Sequence, residues 1–266
     1  MEKVADIIIR TTPEWLRTKL KRWSSFRYFI ALFSYLIAPF YGYLMLPRLD
    51  GTAKIYGEKL DFFVHPDTSA IDSLIEIYRE NVYERLRNIK EGDIVIDVGA
   101  NVGMFTVKAA KKVGDNGLVI AIEPYSQNVK LLKRNIEKYA LNNVIIIPYA
   151  VSSSSGKAKL YVHPVSSACK LASEDELESL QKTENVTVTT LDEVVEKFNI
   201  NRVDFLKIDV EGSELDALNG AQKCLNLVKS LVIECHSSIK KKEVKRFLEE
   251  RGFKCHIDGN ICYAYS

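Results

Sequence analysis

Residues 93–104 read DIVIDVGANVGM, and this stretch decides the fold. Its first half is a Val/Ile run interrupted only by Asp97 near its end, the pattern of a strand buried on both faces. Its second half sets Gly99 and Gly103 where the chain must turn sharply, and residues 103–113 then keep helical periodicity. The same unit recurs downstream. LVIAIEP (118–124) predicts a strand and 126–140 a helix; NVIIIPYAV (143–151) predicts a third strand. VDFLKIDV (203–210) is followed by a helix over 213–227, and SLVIECH (230–236) by a helix over 240–251. FKCHI and ICYAY close the chain as short strands. Such alternation predicts an α/β domain over residues 91–266, with a doubly wound, mostly parallel sheet of seven strands. About fifty residues break the rhythm after the third strand. GKAKLYVH (156–163) and NVTVTTLD (185–192) read as strands within an insertion, 152–190, expected to cover the carboxyl edge of the sheet.

Residues 1–90 read as an N-terminal extension of helix and hairpin. Asp72–Lys90 has helical spacing through Leu74, Ile77, Tyr78, Val82 and Leu86, and 53–64 reads as a hairpin around Gly57. EWLRTKLKRWSSFR (14–27) is a basic amphipathic helix, and 28–47 carries no charge. Pro39, Gly42 and the tyrosines dilute that apolar run, and the preceding positive charge opposes a span that would put the rest of the chain outside. Two readings stand: an in-plane membrane contact through residues 14–47, or a lobe that buries the run on its own domain.

Composition narrows the function. The 266 residues are 47% apolar and 27% charged, ordinary for a globular chain. Lys plus Arg total 37 against 35 Asp plus Glu, so no basic excess suggests nucleic acid as a partner. The five cysteines form no CxxC pair, which argues against zinc ribbons and redox motifs. Glu2 and Asp6 do not suit a secretory leader, so the expected compartment is the reducing cytoplasm. Oligomeric state stays open.

The chemistry-bearing residues collect at strand ends. The DVGANVG turn lacks the third glycine of a dinucleotide fingerprint, and Asp97 would repel a pyrophosphate while accepting from an ammonium. That favours S-adenosylmethionine over NAD. Glu123, ending the next strand, suits the ribose hydroxyls of an adenosine. Lys207, Asp209 and Glu211 end the fourth strand, and Glu234 and His236 the fifth. His236 or Asp209 is the candidate general base, with Lys207 or Glu211 orienting an acceptor. His65, His163 and His256 have no comparable setting. Asp209, Glu234 and His236 offer ligand types for Mg²⁺ or Mn²⁺, but no spacing demands a metal, and none is expected.

DVGANVGMFT, AIEP, AVSSSSGKAKLYV, TTLDEVV, VDFLKIDVEGSELDALNGA and LVIECH, in this order, resemble the FkbM family of methyltransferases across about residues 91–240. The resemblance implies a Rossmann-like fold of the class I methyltransferase type and S-adenosylmethionine-dependent O-methylation of a small-molecule or glycan hydroxyl. It implies that Asp97, Gly99, Asn101 and Gly103 form the methionine loop, that Glu123 holds the ribose, and that Ala150 lies near the adenine. It places Lys207, Asp209, Glu211 and His236 on the methyl-acceptor side. The competing readings are a non-catalytic, cofactor-binding or membrane-associated scaffold and, behind it, an NAD(P)-dependent oxidoreductase.

Overall fold

A computed structural model describes residues 44–47, 53–57, 60–65, 69–163, 165–172 and 182–266. The chain divides into two compact units between Glu80 and Asn81. The expected basic helix at 14–27 and most of the uncharged run lie outside the described residues.

In the first unit, β1 (Leu44–Pro47), β2 (Ala53–Gly57) and β3 (Leu60–Val64) form an antiparallel sheet in that order. The hairpin around Gly57 is therefore present, and the last four residues of the uncharged run add a third strand to it. Helix α1 (Ser69–Leu74) passes directly into a π-helical turn, Ile75–Arg79. The Phe62 and Tyr78 rings lie 5.9 Å apart. Among the described residues, no helix is long and apolar enough to cross a membrane.

The continuous helix expected over Asp72–Lys90 does not form. Asn81 takes a left-handed backbone, φ +54°, which Asn tolerates better than most residues, and only a 3₁₀ turn follows, Val82–Glu84. Leu86, an expected apolar helix position, is 50% exposed. The break lets the buried Glu84 accept from Ile89 N at 3.0 Å and pair with Lys108 and Lys112 at 3.0 and 2.6 Å.

The second unit holds a seven-stranded sheet in the order β13-β14-β12-β11-β4-β5-β6. Its strands are β4 (Ile94–Val98), β5 (Leu118–Ile122), β6 (Val144–Ile147), β11 (Phe205–Ile208), β12 (Ser230–Glu234), β13 (Lys254–Asp258) and β14 (Ile261–Tyr265). From β12 to β6 neighbours run parallel; β14 and β13 close one edge antiparallel. Helices α2 (Met104–Val113), α3 (Ser126–Lys138), α4 (Leu191–Lys197), α5 (Glu214–Asn219) and α6 (Ser238–Glu249) connect them. Ile96, Ile120, Leu206, Ile208 and Ile233 belong to one buried core with residues of α4, α5 and α6. Thr190 caps α4 by accepting from Glu193 N at 3.1 Å, in a reciprocal capping box.

Two elements are shorter than the sequence pattern predicts. The run 143–151 splits at Pro148, which has no N–H to continue a ladder, and its end leaves the main sheet as β7 (Ala150–Val151). The helix expected over 213–227 stops at Asn219, ahead of Gly220, and a 3₁₀ turn covers Cys224–Leu227. Gly220 packs so closely that a Cβ there would overlap the Ser152 carbonyl oxygen. The insertion forms its own four-stranded sheet, β7-β10-β8-β9, with β8 (Gly156–Tyr161), β9 (Lys170–Leu171) and β10 (Thr183–Thr189). Strands β8 and β10 pair antiparallel, and Leu160, Val162, Val186 and Val188 bury a small core with Tyr125 and Ala150.

Candidate active site

The parallel ladder brings the carboxyl ends of β5, β4, β11 and β12 side by side, and every candidate residue except Ala150 is on or just beyond one of these ends. At β4 the chain turns through Gly99, φ +78°, and Gly103, φ +89°. A side chain at Gly99 would overlap the Asp209 carbonyl oxygen, and one at Gly103 would overlap Leu132 Cδ1. The glycines are thus required by backbone shape and by close packing together. Gly99 N and Ala100 N both donate to the Ile122 carbonyl, at 2.9 and 3.0 Å, tying the turn to β5. Asn101 sits in the same turn with φ +51°. Its N–H donates to Glu123 Oε2 at 2.8 Å, while its side-chain Oδ1 is enclosed without a hydrogen-bond partner.

Glu123 is 5% exposed just past β5, and its Oε1 accepts from Tyr125 N at 3.0 Å and Asn128 Nδ2 at 3.1 Å. Burial outweighs these hydrogen bonds and pushes the carboxyl up to about 7. Ala150 is buried in β7, opposite Val188.

Lys207 is directly opposite Asp97 in the β11–β4 register, which explains their meeting. Its Nζ donates to Asp97 Oδ1 at 3.1 Å and to the Gly99 carbonyl at 3.1 Å, and lies 3.5 Å from Asp209 Oδ2. Thr106, from α2, donates to the other Asp97 oxygen at 2.6 Å. The Tyr83 and Phe105 rings stand 5.2 and 5.9 Å from the ammonium. Burial works against the charge on Lys207, but Asp97 and then Asp209 outweigh it and raise the ammonium to about 12. Both side chains are closed off from water, so this pair underlies the turn and does not face the open side.

Asp209, Glu211 and His236 do face it, each with about a quarter of the side chain exposed. His236 Nδ1 is 2.7 Å from Glu214 Oε1; Nε2 is 3.3 Å from Glu211 Oε2 and 3.8 Å from Asp209 Oδ1. Burial favours a neutral ring, yet the contacts with Glu211 and Glu214 prevail and raise His236 to about 10. Glu211 holds a left-handed backbone at φ +47°, ahead of Gly212 at φ +102°. Glu234 turns elsewhere: it accepts from Tyr83 Oη at 3.0 Å and Asn260 Nδ2 at 2.7 Å. Of the other histidines in the second unit, His163 accepts from Val165 N and His256 lies beside Tyr263.

The insertion reaches this edge. Ser126 donates to Glu184 through N at 3.2 Å and Oγ at 3.0 Å, and Asn128 Nδ2 reaches the Ser166 carbonyl at 3.5 Å. Burial raises the Cys169 thiol to about 11, and the charges of Glu123 and Glu211 add to that rise.

Other residues of this constellation escaped sequence reasoning, Glu214, Thr106 and Asn128 among them. Glu214 looks like an acidic residue in a first helical turn, Thr106 like an interior residue of α2, and Asn128 like a helix-surface amide. Each is buried and bonded to a residue that had been singled out: His236, Asp97 and Glu123 respectively.

Comparison with known proteins agrees with this fold. The hexuronic acid methyltransferase AglP of Haloferax volcanii is 29% identical over 176 residues, covering 65% of this chain and 68% of AglP. The methyltransferase sdnD of Sordaria araneosa is 25% identical over 230 residues, 75% of this chain and 88% of sdnD. A crystal structure of methyltransferase FkbM from Methylobacillus flagellatus superposes with a TM-score of 0.52 at 16% identity, over 68% of this chain. This chain spans only 45% of that one. The methyltransferase FkbM domain matches residues 97–255, more than half of the sequence, and the chain therefore belongs to the FkbM family of S-adenosylmethionine-dependent methyltransferases.

Proposed function

We propose that the protein transfers a methyl group from S-adenosylmethionine to a hydroxyl of a sugar acid or related glycan. The observation that carries this reading is the packing of Gly99 against the Asp209 carbonyl, which joins the glycine turn to the Asp209–Glu211–His236 cluster. The residues of the turn suit the cofactor. Asn101 Oδ1 is an enclosed acceptor lacking a donor, which the ammonium of the methionine moiety would provide. Glu123 suits the ribose hydroxyls, and Ala150, small and buried, the adenine side.

When bound, S-adenosylmethionine supplies a methyl on a sulfonium; the acceptor O–C bond forms as the C–S bond breaks, and the hydroxyl proton is released. The protein's share is positioning and proton removal. Lys207 and Asp97 brace the turn from beneath. His236 has both ring nitrogens engaged by carboxylates, so it offers the acceptor no free lone pair. Asp209 is the carboxylate placed to take the proton, and Glu211 and His236 orient the acceptor. The name of AglP, a hexuronic acid methyltransferase, supports a sugar-acid acceptor.

Calorimetry with S-adenosylhomocysteine and NADH in parallel tests the cofactor. Selective binding of the former, lost in Glu123→Ala, is expected; binding of NADH alone would defeat the reading. A mass-spectrometric screen of uronic acids and their glycosides for a 14 Da gain then tests the acceptor class.

A further inference from the structure

We infer that Asp209, Glu211 and His236 form a binding site for one divalent cation of the Mn²⁺ or Mg²⁺ type, with Glu214 fixing the histidine for it. No assignment above includes a metal, and the ligand set differs from the one that the sequence alone suggested, since Glu234 is committed to Tyr83 and Asn260.

Distances come first. One ligand atom from each of the three residues can be chosen so that all lie within 4.8 Å of one another. Ligands held at about 2.1–2.4 Å from a hard cation stand about 3.0 Å apart in adjacent positions and up to about 4.8 Å apart in opposite ones. The 3.3 Å from Nε2 to Glu211 and 3.8 Å to Asp209 fall inside that window.

The histidine's orientation is a second, separate observation. Glu214 is fully buried, and its Oε1 holds Nδ1 at 2.7 Å. A carboxylate on one ring nitrogen fixes the tautomer and presents the other nitrogen as a ligand, the arrangement found behind metal-bound imidazoles. Here the other nitrogen, Nε2, points at Asp209 and Glu211. The second oxygen of Glu214 is enclosed without a hydrogen bond, and Lys240 Nζ comes only to 4.0 Å.

Charge points the same way. A cation on Nε2 takes the place of the proton that Glu211 and Asp209 otherwise hold there, and this network then sets the carboxylates of Asp97, Asp209, Glu211 and Glu214 against the ammonium groups of Lys207 and Lys240. A doubly charged ion on Nε2 balances that excess. Two carboxylates supply the hard oxygen donors that suit Mn²⁺ or Mg²⁺, and the imidazole suits Mn²⁺ better than Mg²⁺. Three protein ligands leave an octahedral ion three open positions, on the exposed side of the cluster. Resting on the methyltransferase reading, these positions would take a hydroxyl and a neighbouring oxygen of the acceptor. Coordination would acidify that hydroxyl beside the glycine turn.

The test is Mn²⁺ binding to the chelator-stripped, full-length protein. It is followed by the loss of the free-ion signal in electron paramagnetic resonance, with S-adenosylhomocysteine affinity measured in parallel. The wild type should bind one Mn²⁺ per chain, displaceable by Mg²⁺. Pulsed spectra should show ¹⁴N coupling from one imidazole, absent in His236→Gln. Glu211→Gln and Glu214→Gln should each weaken Mn²⁺ at least tenfold, while cofactor-product affinity stays within about twofold for Glu211→Gln. A folded wild type that binds S-adenosylhomocysteine but leaves the Mn²⁺ signal unchanged overturns the site. Mn²⁺ affinity unchanged from the wild type in both Glu211→Gln and His236→Gln also overturns it. Failure to bind S-adenosylhomocysteine, by contrast, defeats the cofactor reading and leaves the metal result to stand by itself.

Discussion

Lys207 and Asp209 leave the same strand end two residues apart, yet they enter two different ionic clusters. Lys207 pairs with Asp97 in a space closed to water, roofed by Tyr83 and Phe105. Asp209 joins Glu211 and His236 where about a quarter of each side chain meets solvent. In the first cluster the donors and acceptors satisfy one another: Asp97 takes Lys207 and Thr106, and Lys207 also takes the Gly99 carbonyl. In the second, carboxylates outnumber cations and one buried oxygen of Glu214 has no hydrogen bond. The difference separates two tasks that residue types alone do not distinguish. A closed, balanced pair holds a loop in place; an open, unbalanced group is ready to exchange partners.

The comparison breaks most visibly at Lys207. Lys207→Met strands the Asp97 charge in the interior and should reduce unfolding free energy by about 3–5 kcal/mol in urea titration. A loss below about 1 kcal/mol would show that the closed cluster braces nothing. Asp209→Asn should behave in the opposite way, with methyl transfer to an accepted substrate falling about a hundredfold and stability barely changed. Equal turnover would remove Asp209 from proton transfer. Gly99→Ala forces a side chain into a left-handed position and against the Asp209 carbonyl, linking both clusters. It should lower stability by about 2 kcal/mol and weaken S-adenosylhomocysteine; a neutral outcome would detach the turn from the cluster.

The smallest effect is a pH dependence at Glu123. Its folded value, raised to about 7, exceeds that of an unfolded glutamate. The native state therefore holds the extra proton, and the associated stability is present below the unfolded value and is lost as pH rises through about 7. On the proposed ribose role of Glu123, cofactor binding runs the other way, because the ionised carboxylate is the better acceptor for ribose hydroxyls. Affinity for S-adenosylhomocysteine should rise about tenfold between pH 6 and 8, following the ionised fraction. Glu123→Gln should flatten the profile, and an unchanged slope in that variant would exclude this carboxyl as the source.

The frame of the site was legible because buried parallel strands announce themselves. IVIDV, LVIAI and SLVIE need no partner to be recognised as strands, and β11 falling beside β4 places residues 207–211 next to residues 97–103. What stayed hidden depends on long-range contacts. Nothing in the local pattern of 72–90 shows that Glu84 will be claimed by Lys108 and Lys112, so helical spacing misled there. The apolar run through 143–151 hid a change of sheet at Pro148. Lys207 read as an acceptor-side residue by its position at a strand end. Its partner across the register, Asp97, is what turns it under the loop. Glu214 could have been found only from the odd placement of a fully buried acid in a first helical turn, and burial is not visible in a sequence.

The four-stranded sheet of the insertion encloses its own apolar residues, Leu160, Val162, Val186 and Val188, and seats them on Tyr125 and Ala150. A part so built can change its outer sequence and length while the seven-stranded half keeps its register. Relatives of this chain could thus diversify what they modify by exchanging one cassette, and a swap of residues 152–190 between two such enzymes should move acceptor preference with the cassette while the cofactor stays the same.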